Sequence, residues 1–155
     1  ADQAYQLLLA ALDACPGATG LIAAPLASLG LRTSRSSVTR ERLQQLYQDS
    51  PSLDLIDAIV QLSANDPSKP ASARDWYAHH LEHNPSLVAA SKWIADEKLE
   101  HEQFHPQVQR ALDRAVKPLL RYRCAACGFE ASQHFWQCPG CQTWDSYPSR
   151  RVEEL

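Results

Sequence analysis

Four cysteines near the carboxyl end of the chain are grouped into two close pairs. Each pair has the spacing Cys-x-x-Cys, and ten residues separate the two pairs. The cysteines are Cys124, Cys127, Cys138 and Cys141. A tight turn within a pair directs both sulfurs at one ion, and two such turns supply the four ligands of a tetrahedral site. The spacing therefore predicts one bound metal ion, with zinc as the first choice and a single iron as the alternative.

The residues around the cysteines favour a small metal-binding module. Gly128 follows the first pair, and Pro139 and Gly140 lie within the second, where tight turns are needed. About 35 residues cannot bury a stable core by themselves, so we expect the ion to supply much of the folding free energy. Trp136 and Trp144 are expected to pack around the metal site, with a partner-binding role as the alternative.

The fifth cysteine, Cys15, precedes Pro16 and is expected to be a small buried apolar residue at the end of a helix. An odd number of cysteines, four of them with metal-ligand spacing, favours a reducing compartment over a disulfide framework. This pattern predicts a cytoplasmic location for the chain.

Composition excludes several classes of protein. The chain is 45% apolar and 21% charged, which is enough apolar material to bury a core and excludes general disorder. Its longest apolar run, residues 21–29, is interrupted by Pro25 and is far shorter than the ~20 residues of a membrane span. A net charge of -3 argues against a nucleic-acid-binding surface. There is no signal-peptide pattern, and the start at Ala1 and the lack of Met predict a processed product or a fragment, with a fragment favoured.

Two segments that contain histidines offer rival metal sites. Residues 101–105 read His-Glu-Gln-Phe-His, the H-E-x-x-H pattern of zinc proteases. That chemistry needs a helix that continues through the second histidine, whereas Pro106 disfavours helical geometry at the residue before it. His79 and His83 could share one face of a helix. We nevertheless expect the cluster that they form with His80 to consist of surface histidines.

One local excess of positive charge lies between residues 32 and 42. It consists of Arg32, Arg35, Arg40 and Arg42. Such a cluster could face phosphates or anionic headgroups, but a solvated loop and helix start is the commoner setting. We therefore predict solvated arginines here.

Residues 1–120 carry the periodicity of short amphipathic helices. Apolar residues recur three or four positions apart within residues 5–12, 55–62 and 112–119. Prolines and glycines, Gly30 among them, are expected to break these segments. No strand is predicted in this part of the chain.

Three prolines in this helical part are evenly spaced. Pro16, Pro51 and Pro85 lie 35 and 34 residues apart, and an apolar side chain precedes each by four positions. A 34-residue spacing of helix–turn–helix units is typical of tetratricopeptide repeats, which this region resembles. Asp57 and Gln61 depart from the pattern, which prefers an aromatic and a small residue there. We predict degenerate repeats that begin with the second helix of a unit, with a generic helical bundle as the alternative.

The composition changes near residue 120. Residues 121–155 hold six of the 12 aromatic residues and the four paired cysteines, whereas residues 1–120 are rich in Ala, Leu and Gln. We therefore predict a mostly α-helical protein with two domains. Residues 1-120 form tetratricopeptide-like helical hairpins, and residues 121-155 form a small β module that binds the metal.

Two runs of sequence in this module resemble a known family. Residues 122–129 read Tyr-Arg-Cys-Ala-Ala-Cys-Gly-Phe, and residues 136–144 read Trp-Gln-Cys-Pro-Gly-Cys-Gln-Thr-Trp. They resemble the rubredoxin-like, zinc-ribbon-like tail of the lipopolysaccharide assembly protein B family. The resemblance is sharp over residues 121–145, whereas over residues 1–120 it is limited to the architecture of helical repeats. It implies that the four paired cysteines are the metal ligands.

The resemblance also implies a function that residue spacing cannot show. Members of the family resemble bacterial inner-membrane proteins with one amino-terminal anchor and a repeat domain on the cytoplasmic side. As adapters, they bring the committed-step deacetylase of lipid A synthesis to the membrane protease FtsH, and degradation of the deacetylase limits lipopolysaccharide production. The expectation for this chain is a non-enzymatic adapter whose partners are these two proteins and other lipopolysaccharide assembly proteins. Self-association is left open.

Two other classes of function stay open. Similar cysteine tetrads hold a redox-active iron, so the module could belong to an electron-transfer protein. It could also be a zinc ribbon that binds nucleic acid. Against this, four arginines in residues 121–155 are balanced by four acidic residues, and phosphate binding needs a concentrated basic excess.

Overall fold

A computed structural model describes residues 1–64, 73–96 and 103–155. Their backbone forms seven α-helices and one small antiparallel sheet. The helices are α1 (Asp2–Ala14), α2 (Thr19–Arg32), α3 (Ser36–Asp49), α4 (Leu53–Ser63), α5 (Ala73–His83), α6 (Leu87–Ala95) and α7 (His105–Val116). The strands are β1 (Tyr122–Arg123) and β2 (Glu130–Ala131). The predicted fold class, mostly α with a small β module at the carboxyl end, is confirmed.

The chain divides into two compact units, Ala1–His80 and Leu81–Leu155. Helices α6 and α7 therefore belong to the same unit as the cysteine-rich module. The domain boundary predicted near residue 120 marks the change in composition and stays a prediction. The assignment of the helices to tetratricopeptide repeats also stays a prediction.

The core of the first unit lies around α2, which contacts α1, α3 and α4. Helix α4 packs on α2 and α3 through the apolar stripe that the sequence predicts. The fully buried members of this stripe are Leu55, Ile56, Ile59 and Leu62. Ser52 caps the helix by accepting a hydrogen bond from the amide of Leu55, which satisfies one of the donors left unpaired at a helix start. Periodicity and capping together explain why α4 forms and which face it buries.

Gly30 marks a close approach of α2 and α3. The prediction that it breaks a helix is wrong, because Gly30 lies buried inside α2. A Cβ atom at this position would lie 2.5 Å from Oγ1 of Thr39. The Thr39 hydroxyl donates to the carbonyl of Arg35 at 2.7 Å, so the Tyr5 hydroxyl, 2.8 Å away, donates to Thr39. Glycine thus leaves room for a chain of hydrogen bonds between α1, α3 and the loop that joins α2 to α3.

Two of the four arginines between residues 32 and 42 form ion pairs within the first unit. Arg35 pairs with Asp2 at 2.9 Å, and its guanidinium lies 5.1 Å from the centre of the Tyr5 ring. Arg42 pairs with Asp13 at 2.7 Å. Arg40 is buried, so the prediction of solvated arginines is wrong for this residue. Burial depends on tertiary packing, which the local sequence does not show.

Cys15 ends α1, as predicted, but it is exposed instead of buried. The backbone leaves the helix at this residue with φ -134° and ψ 74° and enters a short 3-10 turn, Pro16–Ala18. Pro16 and Gly17 in this turn are exposed as well. Cys15 therefore lies in an exposed turn and does not belong to the buried residues of α1, Tyr5 and Leu12.

In the second unit, the carboxyl-terminal segment is fastened to the start of α6. The Glu153 carboxylate accepts hydrogen bonds from the Ser86 hydroxyl at 2.7 Å and from the amides of Leu87 at 2.6 Å and Val88 at 3.2 Å. A carboxylate at a helix start satisfies unpaired amides and interacts favourably with the helix dipole. The amide of Glu153 donates to the Leu119 carbonyl at 3.2 Å. One residue thus connects the start of α6 with the segment after α7.

In the described part of the chain, no single helix is both long and apolar enough to span a membrane. One pair of segments, Asp2–Ala14 and Pro16–Arg32, is long and apolar enough only when the two are counted together. The chain bends by 117° at the break between them.

We predict that Gly30→Ala lowers the free energy of unfolding by about 1–3 kcal/mol, because the added methyl group would displace Thr39 and its buried hydrogen bonds. Gly17→Ala is the matched control, since no atom lies within 4 Å of a Cβ at that position. Urea unfolding followed by far-ultraviolet circular dichroism measures both. Equal stability of the two variants would contradict the close approach.

A second prediction concerns Glu153. Replacing it with alanine should lower the free energy of unfolding by about 1–3 kcal/mol, because three donors at the start of α6 lose a charged acceptor. Glu153→Gln should lie between alanine and the wild type, since its amide oxygen still accepts but carries no charge. Thermal unfolding of the three proteins tests this order, and a reversed order would show that the charge does not stabilise the helix.

Candidate metal centre

The structure brings the four paired cysteine sulfurs around one point. Sγ of Cys124 lies 3.8 Å from Sγ of Cys141, and Sγ of Cys127 lies 3.7 Å from Sγ of Cys138. All four sulfurs lie within 4.8 Å of one another, and all are free thiols. Zinc–sulfur bonds of about 2.3 Å in a tetrahedron place the sulfurs about 3.8 Å apart. The residues present therefore fit one tetrahedral metal ion.

Each cysteine pair lies in a turn, and the two turns have the same hydrogen bonds. The first knuckle is residues 124–128, and the second is residues 138–142. In the first, the amide of Cys124 donates to the carbonyl five residues ahead, and the carbonyl of Cys124 accepts from the amide four residues ahead, both at 2.9 Å. Cys138 makes the equivalent bonds at 2.9 and 2.8 Å. The two Cys-x-x-Cys motifs therefore form one local structure twice.

The last residue of each knuckle has a positive φ. Gly128 has φ 78° and Gln142 has φ 60°. Glycine adopts this conformation without steric cost, whereas other residues prefer it less by roughly 1–2 kcal/mol. In the second knuckle, Gln142 adopts this left-handed conformation. Gly140 instead provides space for the Phe129 ring and an amide for the Cys138 sulfur. A Cβ on Gly140 would lie 3.2 Å from the Phe129 ring, and its amide donates to Sγ of Cys138 at 3.3 Å.

Three hydroxyl groups surround the sulfurs. Ser146 Oγ lies 3.1 Å from Sγ of Cys124, and Thr143 Oγ1 lies 3.3 Å from Sγ of Cys141. The Tyr147 hydroxyl lies 3.9 Å from Sγ of Cys138 and donates to the Phe129 carbonyl at 3.2 Å. These hydroxyls lie where the next layer of groups around a metal lies. Sequence reasoning missed all three, and their closeness to Cys141 in the chain is the one local signal that could have found them.

The thiols differ in acidity because their neighbours differ. The Ser146 hydroxyl lowers the pKa of Cys124 to about 6, and the Thr143 side chain lowers the pKa of Cys141. For Cys127, the Phe129 amide acts to lower the pKa, but burial and the neighbouring thiols outweigh it and raise the pKa to about 12. Four thiols this close therefore do not all ionise together by themselves. A bound cation replaces the remaining protons, so metal binding releases them.

The aromatic residues of the module lie partly inside and partly outside. Tyr122 and Tyr147 are buried, and the His134 ring packs edge-on against both. Trp136 and Trp144 are 61% and 65% exposed, so the prediction that they pack around the site is wrong. The two tyrosines and the sulfurs already fill the interior, which leaves the indoles at the surface.

The sheet is small and joins the first knuckle to the segment after it. Strands β1 and β2 pair antiparallel, with Tyr122 opposite Ala131 and Arg123 opposite Glu130. The Arg123 guanidinium donates two hydrogen bonds, at 2.8 and 2.6 Å, to one carboxylate oxygen of Glu130. An isolated antiparallel β-bridge between Gln137 and Trp144 closes the second knuckle, as the paired strands close the first. Each knuckle thus lies at the end of a short hairpin.

The rival histidine sites differ from this arrangement. Among the described residues, the four cysteines form the group able to hold a metal ion, and no histidine belongs to it. His80 is buried, so the prediction of surface histidines is wrong for it, whereas His79 and His83 are exposed. Residues 101 and 102 lie outside the described part. His105 begins α7, so the expectation that Pro106 disfavours helical geometry at this histidine is wrong. Proline is tolerated in the first turn of a helix, where its missing N–H would have no partner within the helix.

The two knuckles, the short hairpins and the four clustered sulfurs define a metal-binding module of the rubredoxin type. Residues 122–147 match the family described as the rubredoxin metal binding domain. Over 41 residues the chain is 42% identical to lipopolysaccharide assembly protein B of Escherichia coli K12, and equally to that protein of Escherichia coli O157:H7. The match covers 26% of the chain and 10% of each relative. Residues 122–147 are therefore similar to the metal-binding module of lipopolysaccharide assembly protein B, as the sequence predicts.

We predict that two substitutions at the positive-φ positions differ in their effect on stability. Gly128→Ala should destabilise the metal-loaded protein by about 1 kcal/mol, because alanine disfavours this backbone conformation. Gln142→Gly should cause no loss, since glycine suits the same conformation in the second knuckle. The rate of metal transfer to a chelator measures both. Faster transfer from the Gln142 variant than from the Gly128 variant would contradict the equivalence of the two knuckles.

Proposed function

We propose that Cys124, Cys127, Cys138 and Cys141 hold one structural zinc ion. The support for this is the tetrahedral spacing of the four sulfurs. Four thiolates fill the coordination sphere, so neither water nor a substrate has a position on the metal. When bound, the ion cross-links the two knuckles. The hairpins and the buried tyrosines then pack around a fixed centre.

We further propose that the chain is a non-enzymatic adapter in the regulation of lipopolysaccharide synthesis. The observation that carries this proposal is the match of the module to lipopolysaccharide assembly protein B. Four thiolate ligands would also leave no coordination position on the metal for a substrate. In this proposal the helices provide surfaces for partner proteins, as tetratricopeptide-like repeats do. The metal module stabilises the end of the helical region.

We propose two partner proteins and a membrane location for this adapter. The adapter would present the deacetylase of the lipid A pathway to the membrane protease FtsH, at the cytoplasmic face of the bacterial inner membrane. A membrane anchor outside this chain would hold it there. Degradation of the deacetylase would then limit the supply of lipid A. In this proposal the two domains predicted to meet near residue 120 have separate roles. Residues 1-120 bind partner proteins, and residues 121-155 bind the metal.

The test compares Cys138→Ser with Cys15→Ser. Cys138 is buried among the four sulfurs, and its loss should abolish binding of zinc and unfold the module. Cys15 is exposed and lies outside the sulfur group, so its variant should keep zinc at one ion per chain. Metal content is measured by mass spectrometry. Iron with a reversible redox potential would overturn the structural role.

The same variants test the adapter role. Each immobilised protein is incubated with detergent-solubilised Gram-negative cells, and the deacetylase and the protease are detected with specific antibodies. The wild type and Cys15→Ser should retain both proteins, and Cys138→Ser should retain neither. Failure of the zinc-loaded wild type to retain either protein would contradict the proposal for this chain.

A further inference from the structure

A groove runs between α3 and α5 in the first unit. At one end lies a cavity of about 210 Å³. It is lined by Gln44, Tyr47, Gln48, Asp75, Trp76 and His79. Along α3 it continues into a wider depression of about 670 Å³, which shares Gln44 and Gln48 with the cavity. The two form one elongated surface with an aromatic end, and we name it the α3–α5 groove.

Buried hydrogen bonding fixes the aromatic end of the groove. The Tyr47 ring meets the Trp76 ring edge-on, with centroids 6.0 Å apart and planes at 85°. The Tyr47 hydroxyl is 2.7 Å from Nδ1 of His80, and both residues are buried. Burial also raises the pKa of Tyr47, so this hydroxyl keeps its proton. Because the wall is held in place before a ligand arrives, binding loses little side-chain entropy.

The charges along the groove are mainly acidic. Asp75 lines the cavity, and Glu41 and Asp49 line the wider depression. Arg42 also lines the depression, but its guanidinium pairs with Asp13 at 2.7 Å. Three carboxylates along a groove that has an aromatic wall at one end favour a cationic ligand.

We propose that the α3–α5 groove binds an arginine side chain from an extended segment of a partner protein. The guanidinium would stack on Trp76 and donate hydrogen bonds to the Asp75 carboxylate. A carboxylate accepts from several donors at once, so this contact adds to those that Asp75 already makes. Arginine suits the groove better than lysine because its planar group stacks and donates in one plane.

The amide side chains of the groove complete the recognition of a peptide. Gln44 and Gln48 are one helical turn apart on α3 and line both the cavity and the depression. Each carries one acceptor and two donors, which match the carbonyl and amide of an extended backbone. The groove thus combines a pocket for one cationic side chain with polar contacts for the backbone beside it.

The experiment is a nuclear magnetic resonance titration of the zinc-loaded chain with the blocked peptide acetyl-Ala-Arg-Ala-amide. The same peptide with citrulline in place of arginine has nearly the same shape without the charge. We expect saturable shifts of the Trp76 indole N–H and of the Gln44 and Gln48 side-chain amides. The citrulline peptide should bind about ten-fold more weakly, since it loses the ion pair and the cation–π contact.

Variants assign the binding to the groove. Asp75→Asn should weaken binding of the arginine peptide about three- to ten-fold. Trp76→Leu should weaken it about ten-fold. Asp145→Asn, the same change of charge on an exposed residue of the second unit, should leave it unchanged. If Trp76→Leu loses helical circular dichroism, Asp75→Asn and the citrulline peptide still decide the result.

Three outcomes would overturn the inference: equal binding of the two peptides, no saturable shift, or shifts confined to the indoles of Trp136 and Trp144. The inference rests on the proposed adapter role for the identity of the partner but not for the binding itself. A failed titration with retained capture of the deacetylase and the protease would reject the groove alone. A successful titration without that capture would reject the adapter role alone.

Discussion

The carboxyl-terminal module depends on one constraint, that four sulfurs must lie about 3.8 Å apart around a common centre. Two turns with the same hydrogen bonds meet this constraint, and each ends in a residue with a positive φ. Under the proposed function, the ion and its four ligands would stabilise the module in place of a larger apolar core, with the buried tyrosines packed around them. The two tryptophans of the module are then free to lie at the surface, where they meet solvent.

The first unit is held by packing instead. Helix α2 contacts three other helices, and at Gly30 it approaches α3 so closely that a side chain would collide with Thr39. Two pairs of polar side chains form hydrogen bonds in this interior, Tyr5 with Thr39 and Tyr47 with His80. A buried polar group without a partner is costly, so these pairs restrict which helix faces can meet.

These two modes of stabilisation suit an adapter. A closed tetrahedral site confers order but offers no position for chemistry, whereas helices display long side chains over an extended surface. The α3–α5 groove illustrates this division, because a buried hydrogen bond orients the aromatic wall while the polar rim remains accessible. Under the proposed function, the metal keeps one unit folded and the helices of the other meet a partner.

The sequence by itself determined what depends on short spacings: the helical stripes, the two knuckles and the donor set of the metal site. Local periodicity and turn chemistry act over a few residues, so a single sequence displays them. Tertiary structure alone decided the burial of Arg40 and His80, the exposure of the tryptophans, and the hydroxyl of Ser146 beside Cys124. Those outcomes depend on which distant segments meet. Gly30 shows the difference most clearly: in the sequence it looks like a helix breaker, and only the approach of α3 explains its place inside a helix.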